Sequence, residues 1–411
     1  MKSDLDNLME KNDLDALIIT GSAQHNPAMV YLTGIAHMAG DLIKKRGAEP
    51  VLFYRIMERD EAAKTGLPMK SLQAYGFKEL VKQFNGDFVK ATAERYKKML
   101  IDLGITSGKI ALYGKVEMGS SYAIFQALQE AMPEITLVGE LSDQSTIMQA
   151  RFTKDEDEVS RIRQMGKITT AVVSEVADFL TSHKVRDGIL VKADGQPLTI
   201  GVVKSRIDLW LTERGADNPE GVIFSIGRDA AVPHSAGTPS DYLRLGQTIV
   251  FDIYPCEKGG GYFYDFTRTW CLGYAADEVM NLYEDVLMVF KMMKAELFVN
   301  THCPVYQRRT CELFEAKGHP TIQGTPNTEV GYIHSLGHGV GLNVHEQPWF
   351  GMNATEEDRL IPGAVFTLEP GLYYPEKNMG VRLEDTLYVS PDGKIQSLVE
   401  YPLDLVLPIK G

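Results

Sequence analysis

The stretch 249–269 places two acids on predicted neighbouring strands, and its sequence is IVFDIYPCEKGGGYFYDFTRT. An apolar strand should continue through position 252, yet Asp252 stands there. Glycines at 259–261 supply a chain reversal, and Asp265 begins the second arm. We therefore predict a β-hairpin that holds both carboxylates side by side on rigid elements.

The same arrangement recurs further along the chain. A glycine stands six residues before Asp252, and another stands six residues before Glu369. A second acid follows each of these, Asp265 in the first case and Glu384 in the second, and each second acid begins a strand-like run. The repetition predicts two related halves, each built around a hairpin that carries two carboxylates.

A cluster of histidines completes the candidate ligands of a metal site. His334, His338 and His345 fall within twelve residues, and the glycines between them favour a loop or strand over a helix. Four buried acids are untenable without a counter-charge, and bound metal ions are the natural one. The predicted ligands are four carboxylates and one imidazole, Asp252, Asp265, His338, Glu369 and Glu384.

The types of these ligands indicate which ions they suit. The absence of cysteine from the set argues against a structural zinc site. Oxygen-rich ligation with one nitrogen suits manganese, iron, cobalt or zinc. Four carboxylates fit two ions ~3.5–4 Å apart, which activate a water and polarise a carbonyl, as amide hydrolysis requires. We expect two divalent ions, manganese first, with cobalt, zinc or iron as alternatives.

Composition excludes several classes of function. A formal net charge of −13 argues against nucleic-acid binding. The sequence lacks an apolar run of ~18 residues, so it predicts no membrane span. Its acidic first residues, MKSDLDNLMEKNDLDAL, do not resemble a targeting signal. The four cysteines include no CxxC pair, which suits a reducing compartment. We expect a cytoplasmic enzyme.

The pattern of apolar runs predicts two domains, 1–152 and 153–411. Thr153 and Glu156 form a candidate capping box, which would begin a long helix at the boundary. The first domain alternates short strands and helices, so we predict an α/β fold. Its strand-like runs are 16–20, 51–54 and 110–113, and its helical runs include 60–64 and 122–131.

Further elements are predicted within the second domain. Residues 184–200 read as a hairpin with Asp194–Gly195 as its turn, and helices are predicted over 202–214 and 277–299. The isolated histidines His302 and His319 are predicted to be surface residues.

Four segments resemble, in order, the motifs of the pita-bread metallopeptidases: DIYPCEKGGGYFYDFTRT, HSLGHGVGLNVHE, FTLEPGLYY and GVRLEDT. This family includes methionine aminopeptidase, prolidase, Xaa-Pro aminopeptidase and creatinase. The resemblance implies an α+β catalytic domain over 153–411, with pseudo-twofold symmetry and a curved antiparallel sheet covered by helices. Residues 1–152 are similar in pattern to the creatinase/prolidase-type N-terminal domain, which methionine aminopeptidases lack. The proline-specific and creatinase branches are therefore favoured.

The resemblance also implies roles for the metal ligands. Asp252 would bind one metal, and Asp265 and Glu384 would bridge both. His338 and Glu369 would complete the second metal. Glu369 would in addition shuttle the proton of the metal-bridging water, which attacks as hydroxide.

Four more residues match substrate-contacting positions of the family. His345 would hydrogen-bond the oxyanion or the scissile carbonyl, and His234 would bind the substrate and serve catalysis. His334 and Arg382 match positions near the bound proline and its carboxyl side. The interval between Asp252 and Asp265 is two residues longer than the family pattern, which predicts a changed rim of the pocket.

The activity implied is removal of the N-terminal residue from Xaa-Pro peptides, as an aminopeptidase or a dipeptidase, by a homodimer. An alternative is that the protein is a small-molecule C–N hydrolase or lyase of the creatinase-like branch. A non-catalytic binding module is the third reading. The complete ligand set argues against the last, because scaffold members of the fold lack it.

Overall fold

The computed structural model of the protein describes residues 4–351 and 354–410. They form two compact units. The first comprises Met1–Arg151 with the short segment Lys258–Gly261, and the second comprises Phe152–Glu257 with Tyr262–Gly411. None of the helices in this described part combines the length and the apolar character that a bilayer crossing requires.

The first unit is built on a six-stranded mixed sheet. Its strands are β1 (Ala16–Ser22), β2 (Ala39–Lys45), β3 (Val51–Tyr54), β4 (Met69–Ser71), β5 (Gly108–Lys115) and β6 (Ile135–Val138). Its helices are α1 (Leu5–Lys11), α2 (Pro27–Thr33), α3 (Arg59–Ala63), α4 (Phe77–Gln83), α5 (Phe88–Asp102), α6 (Met118–Ala131) and α7 (Thr146–Arg151). The strand order is β4-β3-β2-β1-β5-β6, and β1 pairs in parallel with β5 and antiparallel with β2.

The apolar runs identified these strands where both faces of the sheet are covered. Leu17, Ile18 and Ile19 of β1 are fully buried, as in a central strand. The predicted strands β1, β3 and β5 and the helices α3 and α6 are confirmed. Strand β2 was not predicted, because polar residues interrupt its apolar ones. One of them, Asp41, is nevertheless buried and accepts a hydrogen bond from the Tyr96 hydroxyl at 2.6 Å.

The second unit contains longer helices and shorter strands. Its helices are α8 (Glu156–Thr181), α9 (Ile200–Glu213), α10 (Asp277–Glu296) and α11 (Pro304–Ala316). Its strands are β7 (Lys184–Arg186), β8 (Ile189–Val191), β9 (Ala216–Asp217), β10 (Val222–Ile226), β11 (Leu245–Gly246), β12 (Thr248–Ile253), β13 (Cys256–Glu257), β14 (Phe266–Ala275), β15 (His338–Gly339), β16 (Glu346–Trp349), β17 (Val365–Leu368), β18 (Gly371–Tyr374), β19 (Met379–Arg382), β20 (Asp385–Val389), β21 (Ile395–Ser397) and β22 (Val406–Leu407).

Two sheets carry the two predicted acidic pairs. One has the order β10-β12-β14-β11, with β22 added to β14, and the other has the order β16-β15-β17-β20-β21. Strands β12 and β14 are antiparallel, as are β17 and β20. A bridge between Thr267 and Glu384 joins the two hairpins at their acidic ends. Gly246 and Gly363, six residues before the first acid of each pair, have φ of +74° and +92°, a conformation that favours glycine.

Two local predictions were wrong in detail. The capping box that begins α8 consists of Asp155 and Glu158, because Thr153 is extended and pairs with Ala364. The β7–β8 hairpin turns at 187–188, whereas Asp194–Gly195 forms a separate turn closed between residues 192 and 196. The predicted chain reversal at 259–261 is confirmed, since Cys256 pairs with Phe263 around it and the Glu257 N–H donates to the Tyr262 carbonyl at 3.0 Å. The arm that leads into this reversal, β13, also pairs with β9.

The isolated histidines are also less exposed than predicted. His302 and His319 are both half-buried. His302 Nε2 lies 2.8 Å from the Thr355 carbonyl oxygen, and His319 lies between Asp285 and the Tyr374 hydroxyl. Their polar partners come from distant segments, which no local pattern signals.

Candidate metal centre

A cavity of about 700 Å³ in the second unit brings together the candidate residues. All the side chains predicted from sequence line it: Asp252, Asp265, His338, Glu369, Glu384, His234, His334, His345 and Arg382. Residues as far as 150 positions apart in the chain, His234 and Glu384, therefore line the same cavity. Their metal-binding and catalytic roles stay predictions at this point.

Strand ends position the five candidate ligands. Asp252 lies near the end of β12, and Asp265 directly precedes β14. Glu369 directly follows β17, and Glu384 directly precedes β20. His338 begins β15, which is a neighbour of β17. Because the paired strands are antiparallel, the end of one lies beside the beginning of the next, so the acids meet.

The distances show a cluster of ligand atoms. The Nε2 atom of His338 lies 3.4 Å from Glu369 Oε1 and 3.7 Å from Asp265 Oδ2. One ligand atom each from Asp265, His338 and Glu384 lie within 4.8 Å of one another, and all three residues are buried. A single cation could contact all three after small adjustments of the side chains.

His338 is held in the tautomer that a metal ligand needs. Its Nδ1 lies 3.1 Å from the Gly339 carbonyl oxygen, which can only accept, so Nδ1 carries the proton. Its Nε2 lone pair then faces the carboxylates. Burial, with the neighbouring His345, lowers the pKa of His338 to about 3, so the imidazole is neutral at physiological pH.

The described residues around the candidate carboxylates provide too little positive charge to neutralise them. Burial and mutual repulsion raise the pKa of Asp265 and of Glu384 well above the ordinary range, and desolvation raises the pKa of Glu369 to about 8. Within the described residues, the buried Oδ1 of Asp252 has no hydrogen-bond partner. An orphaned carboxylate oxygen beside acids that resist ionisation fits a site for divalent cations.

A directional hydrogen-bond network lies behind one side of the site. The Arg382 guanidinium is buried and donates to Asp252 Oδ2 at 2.6 Å and to the Tyr373 hydroxyl at 2.8 Å. The Tyr373 hydroxyl in turn donates to Nε2 of His334 at 2.9 Å. The other ring nitrogen of His334 donates to the Ser335 carbonyl at 2.7 Å. Both ring nitrogens of His334 are therefore engaged by the protein itself.

His234 and His345 differ from His334 because both are exposed on the cavity wall. The ring of His345 meets the ring of His338 edge-on, with centroids 4.3 Å apart. These two histidines can therefore reach a molecule in the cavity. The substrate contacts predicted for His334 and Arg382 stay predictions, since their polar atoms are bonded within the protein.

Known families match both parts of the chain. The sequence profile of metallopeptidase family M24 matches residues 160–391, more than half of the chain. This protein belongs to metallopeptidase family M24. The profile of the creatinase/prolidase N-terminal domain matches residues 2–151 of the same M24 chain. The family predicted from the motifs is thus confirmed.

Relatives of this M24 protein match it over nearly its full length. An Xaa-Pro dipeptidase of Pyrococcus horikoshii is 28% identical over 393 residues, 94% of this chain and 93% of the relative. The Bacillus subtilis protein called uncharacterized peptidase YqhT is 26% identical over 406 residues, 98% of each chain.

Solved structures share the fold of this M24 protein. A dipeptidase from Pyrococcus horikoshii superposes with a TM-score of 0.74 at 22% identity, covering 98% of this chain and 99% of that one. An X-Pro aminopeptidase from Thermotoga maritima gives 0.72 at 23% identity, with 95% and 97% coverage. The predicted fold class, an α/β domain followed by a pita-bread catalytic domain, is confirmed.

Sequence reasoning missed the residues that support the ligands of the M24 site. Thr267 donates to Glu384 Oε2 at 2.7 Å, and Thr386 donates to the Asp265 carbonyl at 2.7 Å. Each threonine thus reaches across to the acid of the other half. A signal was present, because a threonine follows each of these acids by two positions. Tyr373 carried no comparable signal, since its partners lie on other segments.

The raised pKa values predict how pH acts on this M24 protein. The Glu369 pKa is about 8, against an ordinary 4.5, so between these values the native metal-free state holds a proton that the unfolded chain has lost. The free energy of unfolding without metal is therefore expected to fall as pH rises through this window. Metal affinity is expected to rise, because the ligands must lose their protons.

Thermal unfolding in chelator and in excess manganese, between pH ~5 and ~8.5, measures both effects. Glu369→Gln is the matched control, since it removes the titrating group and should flatten the slope in chelator. If the melting temperature of wild type in chelator falls no more steeply with rising pH than that of the variant, the prediction is contradicted.

Proposed function

We propose that this protein is a two-metal Xaa-Pro peptidase that cleaves the bond between an N-terminal residue and a following proline. The observation that carries the proposal is the convergence of Asp252, Asp265, His338, Glu369 and Glu384 in one cavity. The full-length similarity to an Xaa-Pro dipeptidase supports the substrate class.

In this proposal, each ligand has a place. Asp252 would hold one metal, Asp265 and Glu384 would serve both, and His338 with Glu369 would hold the second. The metals, when bound, supply a water of lowered pKa and polarise the scissile carbonyl. Manganese is the ion we expect, with cobalt, zinc or iron as alternatives.

Glu369 is the proposed proton carrier. Its Oε1 lies 3.4 Å from His338 Nε2, at the edge of the ligand cluster, where a carboxylate can both take up and release a proton. It would take the proton of the attacking water and deliver it to the leaving nitrogen. The nitrogen of an Xaa-Pro bond carries no hydrogen, so it can leave as an amine only after protonation.

His345 and His234 are the proposed contacts to the substrate. Both are exposed on the cavity wall, where a ring N–H can donate to the scissile carbonyl oxygen. The oxygen gains negative charge as the carbonyl becomes tetrahedral, so such a donor acts more strongly in the transition state. Recognition through the carbonyl, without an amide N–H, is compatible with proline.

His345→Ala is expected to lower kcat by ~10²–10³, the usual cost of one oxyanion donor, while both metals stay bound. The measurement is steady-state kinetics together with metal analysis of the same preparation. His37→Ala, which removes an exposed histidine of the first unit, is the matched control and should change neither. Loss of metal from the His345 variant would show that this residue is a ligand.

Within this class we favour the dipeptidase. Support comes from the relatives, since the Pyrococcus horikoshii protein is an Xaa-Pro dipeptidase and a Mycobacterium tuberculosis relative, 29% identical over 257 residues, is a probable dipeptidase. The aminopeptidase remains the alternative. The two differ in whether the far end of the cavity accepts a peptide that continues beyond the proline.

The deciding experiment is turnover by chelator-stripped protein reloaded with manganese on Ala-Pro, Ala-Pro-Ala and Ala-Ala. Release of alanine from Ala-Pro alone supports the dipeptidase, and release from Ala-Pro-Ala as well supports the aminopeptidase. Equal cleavage of Ala-Ala would contradict proline specificity. Two bound metals with no peptide cleaved would favour the creatinase-like alternative, a small-molecule C–N hydrolase or lyase.

Three further expectations belong to this proposal. The domain division 1–152 and 153–411 is testable by limited proteolysis. The homodimer implied by the resemblance is testable by light scattering. A cytoplasmic location is supported by the four cysteines, which are buried and include no CxxC pair, and cell fractionation would test it.

A further inference from the structure

A buried ion pair lies directly behind the turn that carries His345. The Lys154 ammonium lies 3.2 Å from Glu346 Oε2, and each side chain is only 1% exposed. The two residues are 192 positions apart in the chain. A buried pair is costly to desolvate and contributes little net stability, so a role in positioning the chain is favoured over a role in stability.

The Glu346 carboxylate fills the inside of the preceding turn. Its Oε1 accepts a hydrogen bond from the Asn343 backbone N–H at 2.8 Å. A Cβ atom at Gly341 would lie 2.4 Å from Oε2, so a side chain there would push the carboxylate out of its place. Through its backbone, Glu346 also pairs with Gly339, the residue after His338. One side chain therefore shapes the backbone of 341–345.

Lys154 anchors the other end of the pair. Its backbone N–H donates to the Gly363 carbonyl at 2.8 Å, and its ammonium also donates to the Phe152 carbonyl at 3.3 Å. The neighbouring Thr153 pairs with Ala364, at the start of the segment that leads into β17. That strand ends directly before Glu369. The charge of Lys154 is thus held in a fixed relation to the strand of the proposed proton carrier.

We propose that the Lys154–Glu346 pair is the positioning device of His345, an inference that rests on the function proposed above. The His345 ring is exposed to the cavity, so its place is set mainly by the backbone of 341–345 and its edge contact with His338. The pair holds that backbone against the segment leading to Glu369. Both are positioning residues, since they act through His345 and touch no substrate.

The kinetic test is a double-mutant cycle with Glu346→Gln and His345→Ala in the full chain. Glu346→Gln retains the acceptor for Asn343 but loses the charge that faces Lys154. It is expected to lower kcat about 10- to 100-fold with metal content unchanged, as loss of supporting partners does. In the His345→Ala background it should cost nothing further. Additive losses would overturn the proposal.

A second measurement does not depend on the substrate. Hydrogen exchange of the full chain is expected to show faster exchange at 341–345 in Glu346→Gln than in wild type. Asp41→Asn, a buried carboxylate change in the first unit, is the control and should leave these amides unchanged. Unchanged exchange at 341–345 in the glutamine variant would overturn the proposal, whereas failure of the peptidase assay in wild type alone would overturn only the proposed function.

Variants at Lys154 keep the test open if Glu346→Gln does not fold. Lys154→Met with Glu346→Gln removes both charges, which avoids an unpaired buried charge. This double variant is expected to fold yet keep the fast exchange and the lowered kcat. Lys154→Arg in the otherwise wild-type chain retains the charge, so its exchange at 341–345 and its kcat should stay near the wild-type values. A double variant with wild-type exchange and kcat would show that the pair does not position His345.

Discussion

Asp265→Asn is expected to abolish turnover and to release metal. Asp265 is buried, its carboxylate lies 3.7 Å from His338 Nε2, and its ligand atom belongs to the cluster shared with Glu384. Asparagine retains the shape and the acceptor oxygen but loses the negative charge and the second anionic oxygen. Because a shared ligand serves both proposed metals, we expect a loss of about 10³-fold or more in kcat, from the several kcal/mol that metal assistance supplies.

The measurement combines metal analysis after dialysis with kcat on Ala-Pro. Asp358→Asn is the matched control, because Asp358 is a fully buried aspartate of the same unit that accepts hydrogen bonds from the backbone N–H groups of Trp349 and Thr355. The control should retain its metal even if its stability falls. Full metal occupancy in the Asp265 variant would contradict the bridging role.

Arg382→Gln is expected to destabilise the metal-free protein by about 3–5 kcal/mol, as loss of one member of a buried ion pair does. The guanidinium is buried, pairs with Asp252 at 2.6 Å and donates to the Tyr373 hydroxyl at 2.8 Å. Glutamine would leave Asp252 without its cation among the other acids. It would also break the chain of hydrogen bonds that ends at His334.

Denaturant unfolding in chelator and in manganese measures this effect. The loss is expected to be smaller with metal, since bound cations compensate the Asp252 charge. Arg161→Gln is the control, because Arg161 pairs with Glu257 in a partly exposed position, where about 1 kcal/mol or less is expected. Arg382→Lys should rescue only in part, because an ammonium cannot reproduce the fork that spans Asp252 and Tyr373. A loss in chelator no larger than that of the control would contradict the prediction.

Local sequence patterns were sufficient for the acids and their strands. Asp252 interrupts an apolar run, and Glu369 follows another, at equal distances from a glycine with positive φ. Burial of an acid in a strand is costly, so such an interruption indicates a compensating partner. The structure brings these acids to one cavity, as the repeated spacing predicted. The metals themselves remain a prediction.

The prediction of the cap of α8 was less accurate. The sequence analysis assigned the capping box to Thr153 and Glu156. The structure uses Asp155, because the pairing of Thr153 with Ala364 commits it to an extended conformation. A cap depends on the backbone before it, and that backbone was set by a strand more than 200 residues away.

Residue type and spacing along the chain were enough to predict the family, the candidate ligands and the two-part organisation of the fold. Which polar atoms are partners became clear only from the packing of separate strands. Arg382 faces Asp252, Tyr373 donates to His334, and Lys154 meets Glu346 across 192 positions. The physical reason is that the geometry of a buried charge or hydrogen bond is set by how separate strands pack, and no spacing along the chain records that distance.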